Sequence, residues 1–143
     1  MYKIFIALII GCLSKDIFAA CPTSLSGKYS GQATYTEFYN YKFDDVAEKL
    51  YVVSFDGKGT KTRKGLLTVL VEVEADAGIP GVKAYPSGST VTYTFDSTNC
   101  SMNIYDAING DIKVVVANSG ATLYGVKRNL TLNSVERYIL TKQ

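Results

Sequence analysis

Residues 89–105, STVTYTFDSTNCSMNIY, alternate apolar and small polar side chains on both sides of a four-residue break. Val91, Tyr93 and Phe95 interleave with Thr92 and Thr94. After Asp96-Ser97-Thr98-Asn99 the period resumes, with Cys100, Met102 and Ile104 against Ser101 and Asn103. A period of two belongs to a β-strand, whose successive side chains point to opposite faces. A four-residue turn sets Phe95 opposite Cys100, Tyr93 opposite Met102 and Val91 opposite Ile104. Every apolar member then lies on one face of a hairpin, and that face has to be buried.

Further period-two stretches surround this hairpin. In Gly27–Thr36, Tyr29, Gly31, Ala33 and Tyr35 form one face, and the small pair Gly31 and Ala33 predicts a bend or a close approach in a curved sheet. Leu50–Phe55 carries Tyr51, Val53 and Phe55 on one side and runs into Asp56-Gly57-Lys58-Gly59, a tight-turn signal. Thr60–Val73 reads as a long strand whose alternation changes phase, which predicts a bulge near Lys64-Gly65. Ile112–Ala117, Ala121–Lys127 and Val135–Thr141 complete the set. Their inward faces stay ambiguous, since Val114 and Val115, Leu123 and Tyr124, and Tyr138 and Ile139 are apolar at both parities. Residues 38–49 break the pattern, and the capping-box spacing of Asp45-Val46-Ala47-Glu48 predicts a helical turn there. The fold class is therefore all-β: an eight-stranded antiparallel up-and-down barrel or curved meander, with a two-sheet sandwich as the alternative.

In an eight-strand meander, successive connections alternate between the two ends. The turns at 56–59, 96–99 and 118–120 share one end and are tight. The connections at 38–49, 74–89, 106–111 and 128–134 share the other and are longer. A ligand would enter at the long-loop end. The chain enters the barrel at the tight-turn end, where Cys21 and Cys100 both fall.

The first 20 residues stand apart from residues 21–143, the β-barrel domain. Lys3, the apolar run Ile4–Ile10 and the ending Phe18-Ala19-Ala20 have the layout of a signal peptide. Two cleavage sites compete. One follows Ala19 or Ala20. The other is Ile9-Ile10-Gly11-Cys12, which resembles a lipobox and makes Cys12 a candidate for lipidation; the short apolar run before it favours the soluble, periplasmic or secreted product. Of the three cysteines, Cys21 and Cys100 remain in the mature chain, and in an oxidising compartment they form a disulfide.

The chain has 15 basic and 13 acidic residues. Removing Lys3, Lys15 and Asp16 with the leader leaves 13 and 12, a balance that argues against nucleic acid as a partner. The absence of histidine excludes Ser-His-Asp and Cys-His catalysis and His-ligated zinc. No nucleophile stands at a telling distance from a base, so no enzyme is expected. Nor is a cofactor or metal: the acidic groups Asp44, Asp45 and Glu48, and Glu72, Glu74 and Asp76, lack calcium-loop spacing. Membrane contact is expected only through a lipidated Cys12. A protein partner, if the barrel is filled, would use the loops or Leu66 and Leu70.

Gly27-Lys28-Tyr29 at the head of the first strand resembles the Gly-x-Trp of lipocalins and related calycin barrels, with tyrosine for tryptophan. The order Phe55-Asp-Gly-Lys-Gly59, Tyr93-Thr-x5-Cys100 and a final Thr141-Lys142-Gln143 is similar to small exported bacterial barrels of unassigned function. Lipocalins also set a late arginine against the bottom aromatic, and Arg137 is the candidate in the last strand. This resemblance implies binding of a small apolar or amphipathic molecule. The ligand-binding candidates are the inward tyrosines Tyr29, Tyr35, Tyr51 and Tyr93 and the open-end aromatics Phe38, Tyr41, Phe43 and Tyr85, which offer ring faces and hydroxyls.

Overall fold

The computed structural model describes residues 20–39, 42–76, 81–85, 87–106, 110–129 and 133–143. Nine strands appear in chain order: β1 (Ser26–Tyr39), β2 (Lys42–Asp56), β3 (Gly65–Asp76), β4 (Lys83–Tyr85), β5 (Thr90–Asp96), β6 (Ser101–Tyr105), β7 (Ile112–Ala117), β8 (Thr122–Asn129) and β9 (Ser134–Lys142). Each pairs antiparallel with its neighbours. The β1–β9 and β2–β3 ladders close the sheet on itself. Eight strands form the barrel; β4 only extends the stretch Glu72–Glu74 of β3 that β5 does not reach. The all-β, eight-stranded antiparallel barrel expected from the alternation is thus observed, and the sandwich is not. The signal-peptide region and Cys12 lie outside the described residues, as does Tyr41.

The hairpin of residues 89–105 is β5 and β6, with its register moved. Phe95 faces Met102, and Tyr93 faces Ile104. Cys100 leaves the ladder at a positive φ of 49° and belongs to the turn. The shift is two residues, so every side chain keeps its face; a shift of one would have reversed them all.

Two expectations are corrected. Residues 42–49 form no helical turn: they are the first half of β2, paired with β1 as far as Tyr39↔Lys42. The bulge is in β3, not near Gly65. Val52 pairs with Val71 and Val53 with Val69, which leaves Leu70 as the extra residue. Below the bulge Leu67 and Val69 pack at the core; above it Val71 is exposed and Glu72 turns inward. Residues 60–64 belong to the β2–β3 connection, so Lys61 and Arg63 raise no conflict of phase.

The two ends of the barrel are built differently. At the closed end Tyr29, Phe55 and Tyr93 stack edge to face, with centroids 5.4 and 5.0 Å apart. Each buried hydroxyl is satisfied. Tyr29 donates to the Gly120 carbonyl at 2.6 Å. Tyr93 lies 3.1 Å from the Leu25 carbonyl and accepts the Gly59 N–H at 3.3 Å. A side chain at Gly59 would collide with the Tyr93 ring, so glycine lets the β2–β3 connection lie flat across the barrel. Leu25 plugs the centre. The disulfide Cys21–Cys100, with Cα atoms 5.4 Å apart, fastens the N-terminal segment over this end, as the topology allows.

Candidate site in the open half of the barrel

The core fills only one half of the barrel. The other half encloses a cavity of about 440 Å³. Its floor is apolar: Val53, Leu67, Val69, Val91, Ile104, Ile112 and Leu140. Its upper wall is polar: Tyr35, Lys49, Tyr51, Glu72, Asp106, Lys127, Asn129, Ser134, Glu136 and Tyr138.

The wall follows from strand phase. Tyr35 and Ala33 on β1, Lys49 and Tyr51 on β2, Lys127 on β8, and Glu136 and Tyr138 on β9 continue the inward series that lower down holds Tyr29, Val53, Leu123 and Leu140. The chain keeps its period of two and changes its chemistry. This resolves the ambiguous strands: Val114, Leu123 and Tyr138 face in, while Val115, Tyr124 and Ile139 face out. Ala33 pairs with Lys49 on one side and Tyr138 on the other, and its small, buried side chain leaves room between them.

Glu136 is the centre of the polar wall, only 4% exposed. Its ladder partner on β8 is Lys127, whose Nζ lies 3.5 Å from Oε2. Lys49 Nζ lies 3.4 Å from Oε1 and 3.4 Å from Glu74 Oε2. Lys127 also reaches Asp106 at 3.7 Å. Glu136 Oε1 is buried yet accepts no hydrogen bond among the described residues. Glu72 accepts the Tyr51 hydroxyl at 3.1 Å, and no lysine or arginine among the described residues comes within ion-pair distance of it.

Protonation follows from these neighbours. Burial pulls the Lys49 ammonium down, but Glu136 and Glu74 outweigh it, and its pKa stands above the usual lysine value. Burial, reinforced by Glu136, pushes the Tyr51 and Tyr138 phenols far above the ordinary tyrosine range. Both are therefore neutral O–H donors. Their rings lie 5.8 Å apart at 43°, and Lys49 Nζ stands 5.8 Å from the Tyr35 centroid.

Of the sequence candidates, Tyr35 and Tyr51 line the cavity. Tyr29 and Tyr93 do not; they are the satisfied core of the closed end. Tyr85 sits on β4, 40% exposed, and donates to Glu74 at 3.0 Å. Phe38 and Phe43 pair across the β1–β2 ladder. Arg137 is exposed on the outer face of β9, so it does not meet Tyr29. The ionic wall was missed. Its signal was present as charge at inward-phase positions, such as Glu136 in phase with Tyr138 and Leu140. Glu72 and Glu74, weighed in the sequence only as calcium ligands, belong to it through the bulge; Asp76 pairs with Lys83.

No family model matches the chain, and neither the curated proteins nor the solved structures contain a match to it. The eight-stranded antiparallel barrel is consistent with the lipocalin-like architecture that Gly27-Lys28-Tyr29 suggested, and the likeness is one of fold.

Proposed function

We propose that this chain is an exported binding protein, not an enzyme, that holds one small amphipathic molecule in the open half of its barrel. The observation that carries the reading is the cavity of about 440 Å³ with an apolar floor and a polar wall. That volume falls in the range of small-molecule sites, roughly 300–1,000 Å³, and the mouth of a β-barrel is a preferred place for one. The same cavity weighs against the alternative of an interaction protein with a filled barrel. The Cys21–Cys100 disulfide supports export, since such bonds persist in oxidising compartments such as a periplasm or the cell exterior.

The test is equilibrium binding of an uncharged amphipathic fluorophore, N-phenyl-1-naphthylamine. One molecule binds per chain, with emission shifted to the blue. Val69→Trp, which fills the floor, lowers its affinity by about tenfold or more, while Val115→Trp on the outer face leaves it unchanged. Absence of binding, or equal binding to the Val69→Trp variant, would refute the reading.

A further inference from the structure

The apolar floor accounts for half of a ligand, and the wall has to account for the other half. Among the described lining residues the carboxylates Glu72, Asp106 and Glu136 face the ammonium groups of Lys49 and Lys127, which leaves one carboxylate in excess. Glu74, which occupies Lys49 from the side at 3.4 Å, widens the imbalance. An unbalanced charge in a partly enclosed space favours a counter-charge beside it.

The excess has a location. Both lysines are committed, Lys49 between Glu74 and Glu136, and Lys127 between Glu136 and Asp106. Among the described residues Glu72 accepts the Tyr51 hydroxyl, at 3.1 Å, and forms no ion pair. Glu136 Oε1 is a second acceptor with capacity left: the residue is 4% exposed and lines the cavity, and this oxygen has Lys49 Nζ at 3.4 Å but no hydrogen bond among the described residues. The wall thus has carboxylate oxygens with acceptor capacity to spare. The rings of Tyr35, Tyr51 and Tyr138 stand beside them, and aromatic faces favour cations. The Lys49 ammonium already stands 5.8 Å from the Tyr35 centroid.

Resting on the reading of the cavity as a ligand site, we propose that the molecule it takes is an amphipathic organic cation, an alkyl- or arylammonium. Its ammonium group is held by Glu72, with Glu136 Oε1 as the second acceptor, and its apolar part lies toward Val53, Leu67 and Ile104. An anionic ligand of the same shape meets the opposite field: it has to displace a carboxylate from a lysine and add like charge to the wall.

Calorimetric titration near neutral pH with three probes of one chain length, octylammonium, octanol and octanoate, tests this. Octylammonium binds about tenfold tighter than octanol, as one charge-assisted contact predicts, and octanoate binds weakest. Glu72→Gln keeps the shape and the Tyr51 partner; it lowers octylammonium affinity about tenfold and leaves octanol within twofold. Equal affinities for octylammonium and octanol, a preference for octanoate, or an unchanged ratio in Glu72→Gln overturns the cation assignment while the cavity reading stands. Failure of all three probes and of N-phenyl-1-naphthylamine overturns both. Should Glu72→Gln not fold, the ratio of octylammonium to octanol affinity in the unaltered chain decides the matter.

Discussion

Gly31→Ala is expected to lower the unfolding free energy by about 3 kcal/mol, the upper end for overpacking that forces a backbone shift. A Cβ at this position would stand 1.9 Å from the Ile139 carbonyl oxygen and 2.8 Å from Leu140 Cα. Both are main-chain atoms of β9, so no rotamer change relieves the contact. Gly31 lies on the β1–β9 ladder that closes the barrel, opposite Leu140. The alanine therefore pushes against the closure itself. Gln32→Ala, at the exposed neighbouring position, should stay within about 0.5 kcal/mol of the unaltered protein. Urea unfolding of the two variants is the measurement. A Gly31→Ala midpoint that matches Gln32→Ala would mean that β9 does not pass so close to β1.

Replacing both Cys21 and Cys100 by alanine should cost about 4 kcal/mol, because the bridge spans a sequence separation of 79 and removes much of the entropy of the unfolded chain. The double variant avoids a lone reactive thiol. The loss is local in its structural effect. It releases the segment that carries Pro22 and Leu25 against Gly120 and the Tyr29–Phe55–Tyr93 stack, at the closed end. None of Cys21, Pro22, Leu25, Cys100 and Gly120 is among the described residues that line the cavity. Where the variant is still folded, it should therefore bind N-phenyl-1-naphthylamine as the unaltered protein does. Denaturant unfolding gives the first quantity and fluorescence titration the second. A fall in affinity that parallels the fall in stability would contradict the division of the barrel into a packed closed end and an open half.

That division also explains how much of the molecule was legible in the sequence. Alternation of apolar and polar residues marks the inward face only where the interior is apolar. Below the cavity it is, and the pattern around Tyr29, Phe55, Tyr93, Met102 and Leu123 led to strands, faces, ends and the disulfide. The β5–β6 register was misjudged by two residues because alternation fixes parity and not position. The turn decided it, by drawing Cys100 out of the ladder at positive φ. Above the floor the interior is ionic, and the rule inverts. Ala47, Lys49 and Tyr51 are an inward series, yet Asp45 and Glu48 around them looked like a helix cap. On β3 the bulge at Leu70 exchanged the faces, so Val71 went out and Glu72 came in. No local signal located that bulge, since Leu66 to Val73 is almost wholly apolar at both parities. Tyr29 and Tyr93 were assigned to a ligand because parity shows which side of the wall a ring is on, and not how far along the barrel it lies.

The site's chemistry follows from the same change along the axis. Residues at one strand level pack dry; two residues higher the same face carries a phenol, and two higher again an amine or a carboxylate. Val53 and Tyr51 on β2 differ by one such step, as do Leu140 and Tyr138 on β9, and Glu136 lies one further. A molecule placed along the axis would therefore meet a hydrocarbon environment at one end and a hydrogen-bonding one at the other. This is the physical ground for expecting an amphipathic occupant.

Methyl-resolved NMR during titration with N-phenyl-1-naphthylamine tests the location most directly. The account expects shifts confined to Val53, Leu67, Val69, Val91, Ile104, Ile112 and Leu140, with the methyls of Leu25, Met102, Val116 and Leu123 at the closed end unmoved. Shifts centred on the closed end, or on Val115, Val126 and Ile139 of the outer face, would contradict it.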